Sequence, residues 1–348
     1  MIDAAALTKR DWTDLIAAFD ANARLDLNAW PFAEARRVRD EVYGRQVFLR
    51  GLVEFTSHCA MDCLYCGLRR SNVRAARYRL GAETILACCD AGAALGLKSF
   101  VLQGGEDSFY SDKALCGIVS TIKEKHPDCT LTLSVGERSA ESYKRLRAAG
   151  ADRYLLRHET ADATHYGKLH PAFQTLENRK KCLYALKEAG FHVGAGFMVG
   201  TPHQTAETLA EDMLLLRELQ PEMVGIGPFM PHEDTPFASE SAGAVSPTLF
   251  MLALTRLLLP SAMLPATTAL ASVHAEGRVW GLDSGANVIM PNISPAEVRA
   301  AYRIYDNKKA FGSEAAEGLA LLEAELAPHG YALSFTRGDW RGAVNKNG

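Results

Sequence analysis

Long apolar runs are missing from this sequence, as are blocks of like charge, Pro/Gly/Ser-rich linkers and internal repeats. No stretch approaches the roughly 20 apolar residues needed to cross a bilayer, so no membrane span is expected. The opening MIDAAALTKRDW lacks a secretory-signal pattern, and the expected location is the cytoplasm. A net charge of −3, from 38 basic and 41 acidic residues, gives no electrostatic reason to expect nucleic acid or an anionic membrane as partner. Without long exposed apolar stripes the chain reads as a monomer. Eight cysteines in 348 residues form no disulfide scaffold. Cys88, Cys89, Cys116 and Cys182 fall in predicted helices and Cys129 just before a predicted strand, as small core residues do; none follows Cys182, which leaves nothing to hold a second metal cluster.

What is present is one concentrated motif. Residues 55–70 read F-T-S-H-C-A-M-D-C-L-Y-C-G-L-R-R, placing Cys59, Cys63 and Cys66 at C-x3-C-x2-C after a strand-like run. Thiolates this close suit zinc, copper or an iron–sulfur cluster. A structural zinc site or an ordinary 4Fe–4S cluster wants four protein ligands, so three leave a metal corner open. The plain alternatives are a zinc knuckle completed by His58 or Asp62, or surface cysteines with no ligand.

From Val47 onward, short apolar runs alternate with helical patterns. The predicted strands are 47–56, 99–106, 130–137, 153–160, 192–199, 223–230, 264–270 and 285–292. Predicted helices span 82–96, 111–125, 139–149, 175–190, 204–219 and 246–259, several closed by Gly96, Gly150 or Gly190. The connection Ser272–Ser284 is short and gives the weakest helix signal. Eight strands separated by helices predict a complete (β/α)8 TIM barrel over 46–310, with an N-terminal helical cap in 1–45 and a C-terminal extension in 311–348 packed on it. The cap carries Leu7, Trp12, Leu15, Ile16 and Phe19 as an amphipathic stripe.

In such a barrel the chemistry gathers at the carboxyl ends of the strands. The cysteine loop, Gln103-Gly104-Gly105-Glu106, Ser134 to Glu137, Arg157 to Thr160, Pro228 to His232 and Thr267-Thr268 all fall there. Strand parity turns Leu131, Leu133 and Val135 outward and Thr130, Thr132 and Ser134 inward. The same parity separates Arg153, Leu155, Arg157 and Glu159 from Tyr154, Leu156 and His158. Gly104-Gly105-Glu106 offers bare backbone and a carboxylate to an ammonium group, or is simply a turn. Arg157 and Glu159 suit a polar ligand, or pair with each other. Arg179 is placed to cap a carboxylate, or lies on a solvated helix face. Tyr302 and Tyr305, at helical spacing, pack in the core or rim the chamber. His232 is a proton donor or a loop residue.

The cysteine spacing with Tyr65 resembles the signature of the radical SAM enzymes. The stretches E-F-T-S-H-C-A-M-D-C-L-Y-C-G-L-R-R-S-N, V-L-Q-G-G-E-D, A-G-A-D-R-Y-L-L-R-H-E-T, M-V-G-I-G-P-F-M-P-H-E-D-T-P and G-A-N-V-I-M-P-N resemble, within that superfamily, the HydE family of FeFe-hydrogenase maturases. The likeness runs from about Val47 to about Tyr305. It implies one 4Fe–4S cluster on Cys59, Cys63 and Cys66, and reductive cleavage of S-adenosylmethionine to a 5′-deoxyadenosyl radical. Around S-adenosylmethionine it places Tyr65, Gly104, Gly105, Glu106, Ser134, Glu159 and Arg179. Gln103, Arg157, Thr267, Thr268, Tyr302 and Tyr305 fall where the family lines its substrate cavity. The implied substrate is a small carboxylate- and sulfur-containing molecule, an iron–cysteine synthon made by the maturase HydG, whose sulfur the radical attacks. The product feeds the diiron site of the hydrogenase H-cluster, which implies HydG, HydF and an electron donor as partners. Some members carry further cysteines near the C-terminus for an accessory cluster; Ala310–Gly348 has none.

Two other functions share parts of this pattern. One is an amino-acid mutase of the methylornithine synthase kind, with the same fold and cluster. The other is a non-catalytic carrier of an iron–sulfur or iron–carbonyl unit. Biotin synthase fits less well, because it needs a second cluster in the lumen.

Overall fold

The computed structural model describes residues 3–21, 23–306 and 315–342. Among the described residues nine strands are parallel wherever they pair with one another: β1 Gln46–Leu49, β2 Gly51–Thr56, β3 Ser99–Gly104, β4 Thr130–Ser134, β5 Arg153–Leu155, β6 His192–Val199, β7 Met223–Pro228, β8 Val288–Ile289 and β9 Ala332–Ser334. The helices of the first half are α1 Lys9–Ala17, α2 Phe32–Tyr43, α3 Ala82–Ala94, α4 Asp112–Lys125, α5 Ala140–Ala148 and α6 Ala163–Leu169. Those of the second half are α7 Leu176–Glu188, α8 Ala206–Leu219, α9 Val245–Leu258, α10 Thr268–Val273, α11 Gly277–Asp283, α12 Ala296–Arg299 and α13 Ala315–Leu326.

Hydroxyl caps start many of these helices. Ser111, Ser139, Thr175 and Thr205 each accept a backbone N–H of the first turn of α4, α5, α7 and α8. Gly96, Gly150 and Gly190, in the left-handed region at φ +85°, +110° and +82°, follow α3, α5 and α7. A capping box between Thr8 and Asp11 opens α1. That helix buries Trp12 against α8, while the Phe19 ring stacks on Phe250 of α9 at 4.1 Å.

Strands β2 to β7 form one six-stranded sheet in sequence order, and β1 lies between β8 and β9 in a second. Single parallel bridges link the two: Met223 to Met263, Pro265 to Val288, and Leu52 to Asn292. The fold is α/β with a parallel sheet and an outer helical layer. Leu131, Leu133 and Val135 join the main apolar core, and Tyr154 packs on Tyr143 of α5 at 5.2 Å. Arg153, of the opposite parity, meets Ser99 and the residues after β9: its Nη2 donates to the Gly338 carbonyl at 2.8 Å and to Asp339 at 3.0 Å.

Several expectations need correction: the strand expected over 47–56 divides at Arg50 between the two sheets, and the one expected over 153–160 ends at Leu155. Of the strand expected over 264–270 the bridge at Pro265 remains, with a second at Met263 just before it, because Thr267 caps α10 with its hydroxyl and turns Thr268–Val273 into helix. Tyr302 and Tyr305 follow α12 in irregular backbone, not on a helix. The connection Ser272–Ser284 contains the end of α10 and all of α11. The expected boundary at 310/311 lies outside the described residues.

Candidate active site at the carboxyl ends of the strands

The loop leaving β2 holds all three motif cysteines, and its backbone is pinned from several sides. Arg77 donates to the carbonyls of Ser57, Leu68, Arg69 and Asn72, tying the stretch before Cys59 to the stretch after Cys66. Asp62 takes a bidentate ion pair from Arg69 at 2.9 and 3.0 Å and the Ser71 hydroxyl at 2.7 Å. It is therefore committed to the loop rather than free as a fourth metal ligand. Cys59 Sγ accepts the Glu106 amide at 3.4 Å, and Cys63 Sγ accepts Gln174 Nε2 at 3.5 Å. Burial pushes the Cys63 thiol up to about 11 and raises Cys59 and Cys66 as well. Among the described residues no three Cys, His, Asp or Glu side chains converge on one point for a single ion. A zinc knuckle needs such convergence, whereas a four-iron cluster takes each thiolate on a different iron.

Gly104-Gly105-Glu106 leaves β3 directly beneath this loop. A Cβ on Gly105 would lie 2.2 Å from the His58 carbonyl and 2.6 Å from Cys59 Cβ, so only glycine lets the cysteine loop sit there. Gly136, at φ +76°, does the same for the Glu106 side chain, whose Cγ would be 1.9 Å from an added Cβ. Burial raises the Glu106 carboxyl to about 6.

The second wall comes from the segment after β5. Glu159 adopts φ +65°, a left-handed conformation that costs a non-glycine residue free energy and concentrates at functional sites. Arg157 Nη2 lies 3.1 Å from Glu159 Oε2, yet neither atom has hydrogen-bond geometry to the other, and Arg157 Nε is likewise buried without a partner. Arg179 on α7 donates to Glu137 at 2.5 Å and to the Arg157 carbonyl at 2.7 Å. Behind this wall, Asp212 on α8 accepts His158 Nε2 at 3.1 Å and the Ala161 amide at 2.6 Å, all fully buried. Because His158 Nδ1 accepts the Gly196 amide, the proton sits on Nε2 and the ring is neutral; burial holds its pKa near 3.

Among the remaining predicted site residues, Tyr65 donates to His170 Nε2 at 3.2 Å, since His170 Nδ1 serves the Tyr166 carbonyl. Gln103 Nε2 reaches the buried Tyr302 hydroxyl at 3.4 Å, beside Ser134, which is its register partner on β4. Thr267 faces Gly227 across β7, and Arg157 lies against Gly225 on the same strand. No hydrogen bond joins Thr267 or Thr268 to the Arg157–Glu159 group among the described residues. Tyr305 contacts Ser272, and its phenol is raised to about 12 by burial. His232 is buried against Gly67 of the cysteine loop. Sequence reasoning missed Arg77, His170, Gln174, Asp212 and the buried Glu54, which takes Asn292 Nδ2 at 2.8 Å. Only their place in the fold brings them here; the spacing H-x3-Q was the one local signal for His170 and Gln174.

A model of the radical SAM superfamily matches residues 53–216. Over 304 residues the chain is 45% identical to the [FeFe] hydrogenase maturase subunit HydE of Thermotoga maritima, covering 87% of this chain and 86% of that one. The chain belongs to the HydE family. As a radical SAM enzyme of that family it uses a 4Fe–4S cluster and S-adenosylmethionine. It is also 28% identical over 273 residues to the 3-methylornithine synthase of Methanosarcina acetivorans, covering 77% and 76% of the two chains. In solved structures its fold resembles methylornithine synthase (PylB), at TM-score 0.79 and 24% identity over 94% of each chain. It also resembles HydG of Carboxydothermus hydrogenoformans, at TM-score 0.76 and 20% identity over 94% of this chain and 76% of that one. The residues fit the HydE family's cofactors: three thiols on a pinned loop, a glycine cradle, and buried Arg157 and Glu159 atoms with unused hydrogen-bonding capacity.

Proposed function

We propose that this enzyme acts in assembly of the diiron site of FeFe hydrogenase, on the sulfur of a small cysteine-derived, carboxylate-bearing iron synthon. The observation that carries the reading is the Arg157–Glu159 wall, an ion pair of a partly exposed guanidinium and a buried carboxylate whose Nε, Nη2 and Oε2 atoms make no hydrogen bond, at the strand ends that also carry the cysteine loop. Buried charge in this state needs a polar ligand. The bound cluster and S-adenosylmethionine supply a radical at the 5′ carbon of the deoxyadenosyl group.

Cys59, Cys63 and Cys66 hold the cluster, with the Glu106 and Gln174 N–H groups aimed at two of the sulfurs. Glu106 with Gly104 and Gly105 receives the methionine ammonium, while Glu159 accepts ribose hydroxyls. Tyr65 and Ser134 border the nucleoside, and Arg179 takes the methionine carboxylate. Arg157 grips the substrate carboxylate, and Gln103, Tyr302, Tyr305, Thr267 and Thr268 close the cavity around it. Tyr302, which is buried, and the half-buried Gln103, Arg157 and Tyr305 limit the water that reaches the reacting sulfur. We further read the two sheets as one complete (β/α)8 barrel over 46–310, supported by the three parallel bridges between them, with 1–45 and 311–348 as extensions. The protein works as a cytoplasmic monomer with HydG, HydF and an electron donor.

The test is anaerobic. The reconstituted enzyme, given dithionite and S-adenosylmethionine, forms 5′-deoxyadenosine, and formation rises with cysteine-like thiol or thiazolidine carboxylates. A fully loaded protein that forms none with any of them would overturn the reading in favour of a carrier, and turnover of lysine would favour the mutase.

A further inference from the structure

Backbone N–H groups serve two of the three motif sulfurs: those of Met61 and Glu106 approach Cys59, and that of Leu68 approaches Cys66. Cys63 is served by a side chain instead. Gln174, from the turn between α6 and α7, is buried against the same loop. Its amide has one consistent orientation. The Asp62 backbone nitrogen can only donate, and it meets Gln174 Oε1 at 3.3 Å. Nε2 is therefore the atom left facing Cys63 Sγ, at 3.5 Å. In the thiol form the sulfur also faces Oε1, at 3.7 Å, but a metal-bound sulfur carries no proton and only accepts.

A second polar hydrogen stands beside this sulfur, on the Tyr65 hydroxyl. It is directed elsewhere. His170 Nδ1 meets the Tyr166 carbonyl at 3.0 Å, and a carbonyl only accepts, so the ring proton is on Nδ1 and Nε2 is bare. Burial keeps the ring neutral. Tyr65 consequently donates to His170 Nε2, at 3.2 Å. The Tyr166 ring, stacked on His170 at 3.8 Å, holds the imidazole in place, and the Tyr65 ring meets it edge-on at 5.4 Å. The cation acting on Cys63 is Arg179, which Glu137 and the Arg157 carbonyl hold in place.

We propose that Gln174 and His170 set the reduction potential of the cluster through Cys63: Gln174 donates one hydrogen bond to the sulfur, and His170 withholds another by taking the Tyr65 proton. The inference rests on Cys63 being a cluster ligand. One-electron reduction adds negative charge that spreads onto the sulfurs. Each N–H or O–H aimed at a ligating sulfur therefore favours the reduced form and raises the potential. Reductive cleavage of S-adenosylmethionine needs a strong reductant, hence a low potential. His170 preserves it by keeping the hydroxyl off the sulfur, while Gln174 keeps the reduced form accessible.

The test is a potentiometric titration of the reconstituted enzyme without S-adenosylmethionine, with iron and sulfide per chain measured on every sample so that only fully loaded protein is compared. Gln174→Leu should lower the midpoint. At the wild-type midpoint potential its ratio of reduced to oxidised cluster should fall about fivefold, the equivalent of one ordinary hydrogen bond. His170→Phe keeps an aromatic ring on Tyr166 but offers no acceptor, so it should free the Tyr65 hydroxyl for Cys63 and raise the ratio by about the same factor. Adding Tyr65→Phe to His170→Phe should abolish that rise, and Tyr65→Phe alone should leave the midpoint close to wild type. A general loosening of the loop would move Gln174→Leu and His170→Phe in the same direction, and that result overturns the proposal. So does an unmoved midpoint in Gln174→Leu, or a His170→Phe shift that survives the added Tyr65→Phe. The His170 and Tyr65 variants need no change at Gln174, so they decide the question even where Gln174→Leu loads too little iron. Cys63→Ala that keeps a full complement of iron and sulfide refutes the cluster-ligand assignment instead.

Discussion

Asp212 and His158 form a buried hydrogen-bonded pair that sets the conformation of a segment neither residue belongs to functionally. The Asp212 carboxyl group, whose pKa burial raises well above the usual range, spans the His158 ring and the Ala161 amide, at 3.1 and 2.6 Å, and so brackets Glu159 from both sides in sequence. Both side chains are inaccessible to solvent.

Truncating Asp212 should therefore act at a distance. Asp212→Ala leaves the His158 N–H and the Ala161 N–H unpaired in the interior and should lower stability by about 3 kcal/mol. Asp212→Asn, which keeps the accepting oxygen, should lose less. In both, affinity for S-adenosylmethionine should drop more than stability accounts for. Urea unfolding and equilibrium binding, measured on the same samples, check this.

Glu159 offers a test of strain held for function. Its φ of +65° suits glycine, so Glu159→Gly should keep thermal stability within about 1 kcal/mol of the parent while S-adenosylmethionine binding falls at least about tenfold. Glu159→Val should lose both, because a β-branched side chain tolerates that backbone poorly. Melting curves alongside binding isotherms separate the two effects.

His170 should impose an acid limit on stability. Burial lowers its folded pKa to about 3, below the 6.5 of an exposed ring. The unfolded chain thus binds the extra proton first, so this contribution is fully present above about pH 6.5 and is lost as pH falls toward 3. The slope attributable to this ring approaches about 1.4 kcal/mol per pH unit in that window. His170→Gln should flatten the stability–pH curve between about pH 4 and 6.5, read from denaturant midpoints.

Gly105 should tolerate no side chain. A methyl group there would meet the His58 carbonyl at 2.2 Å, and that backbone is held by the loop's own hydrogen bonds. Gly105→Ala should keep the wild-type far-UV dichroism but incorporate well under half the iron and sulfide per chain. Iron and acid-labile sulfide analysis after reconstitution decides it.

The cysteine triad, the glycine pair and the alternation of strands and helices were readable because each is local: a spacing, a turn, a period. The strand expected over 264–270 failed for an equally local reason that went unread, the threonine cap at Thr267. What stayed hidden depends on distance in sequence. Asp212 is 54 residues from His158, and Gln174 is 111 from Cys63, so only the tertiary fold puts them together. Arg77 lies near the cysteines in sequence but donates only to backbone carbonyls, which no side-chain pattern can announce. The unpaired atoms of Arg157 and Glu159 were equally unreadable, since parity puts the two residues on one face without saying whether they satisfy each other.

The pairing of β1 has a consequence for the order of events during synthesis. Its two neighbours, β8 and β9, are made some 240 residues or more after it, whereas β2 finds β3 within fifty. An emerging chain can begin the six-stranded sheet early, yet β1 must wait with both edges unpaired until translation passes residue 289, and with one until it passes residue 334. For most of its synthesis the nascent protein therefore carries an apolar strand, Val47 to Leu49, that has nothing to bind and that a chaperone or another chain can capture.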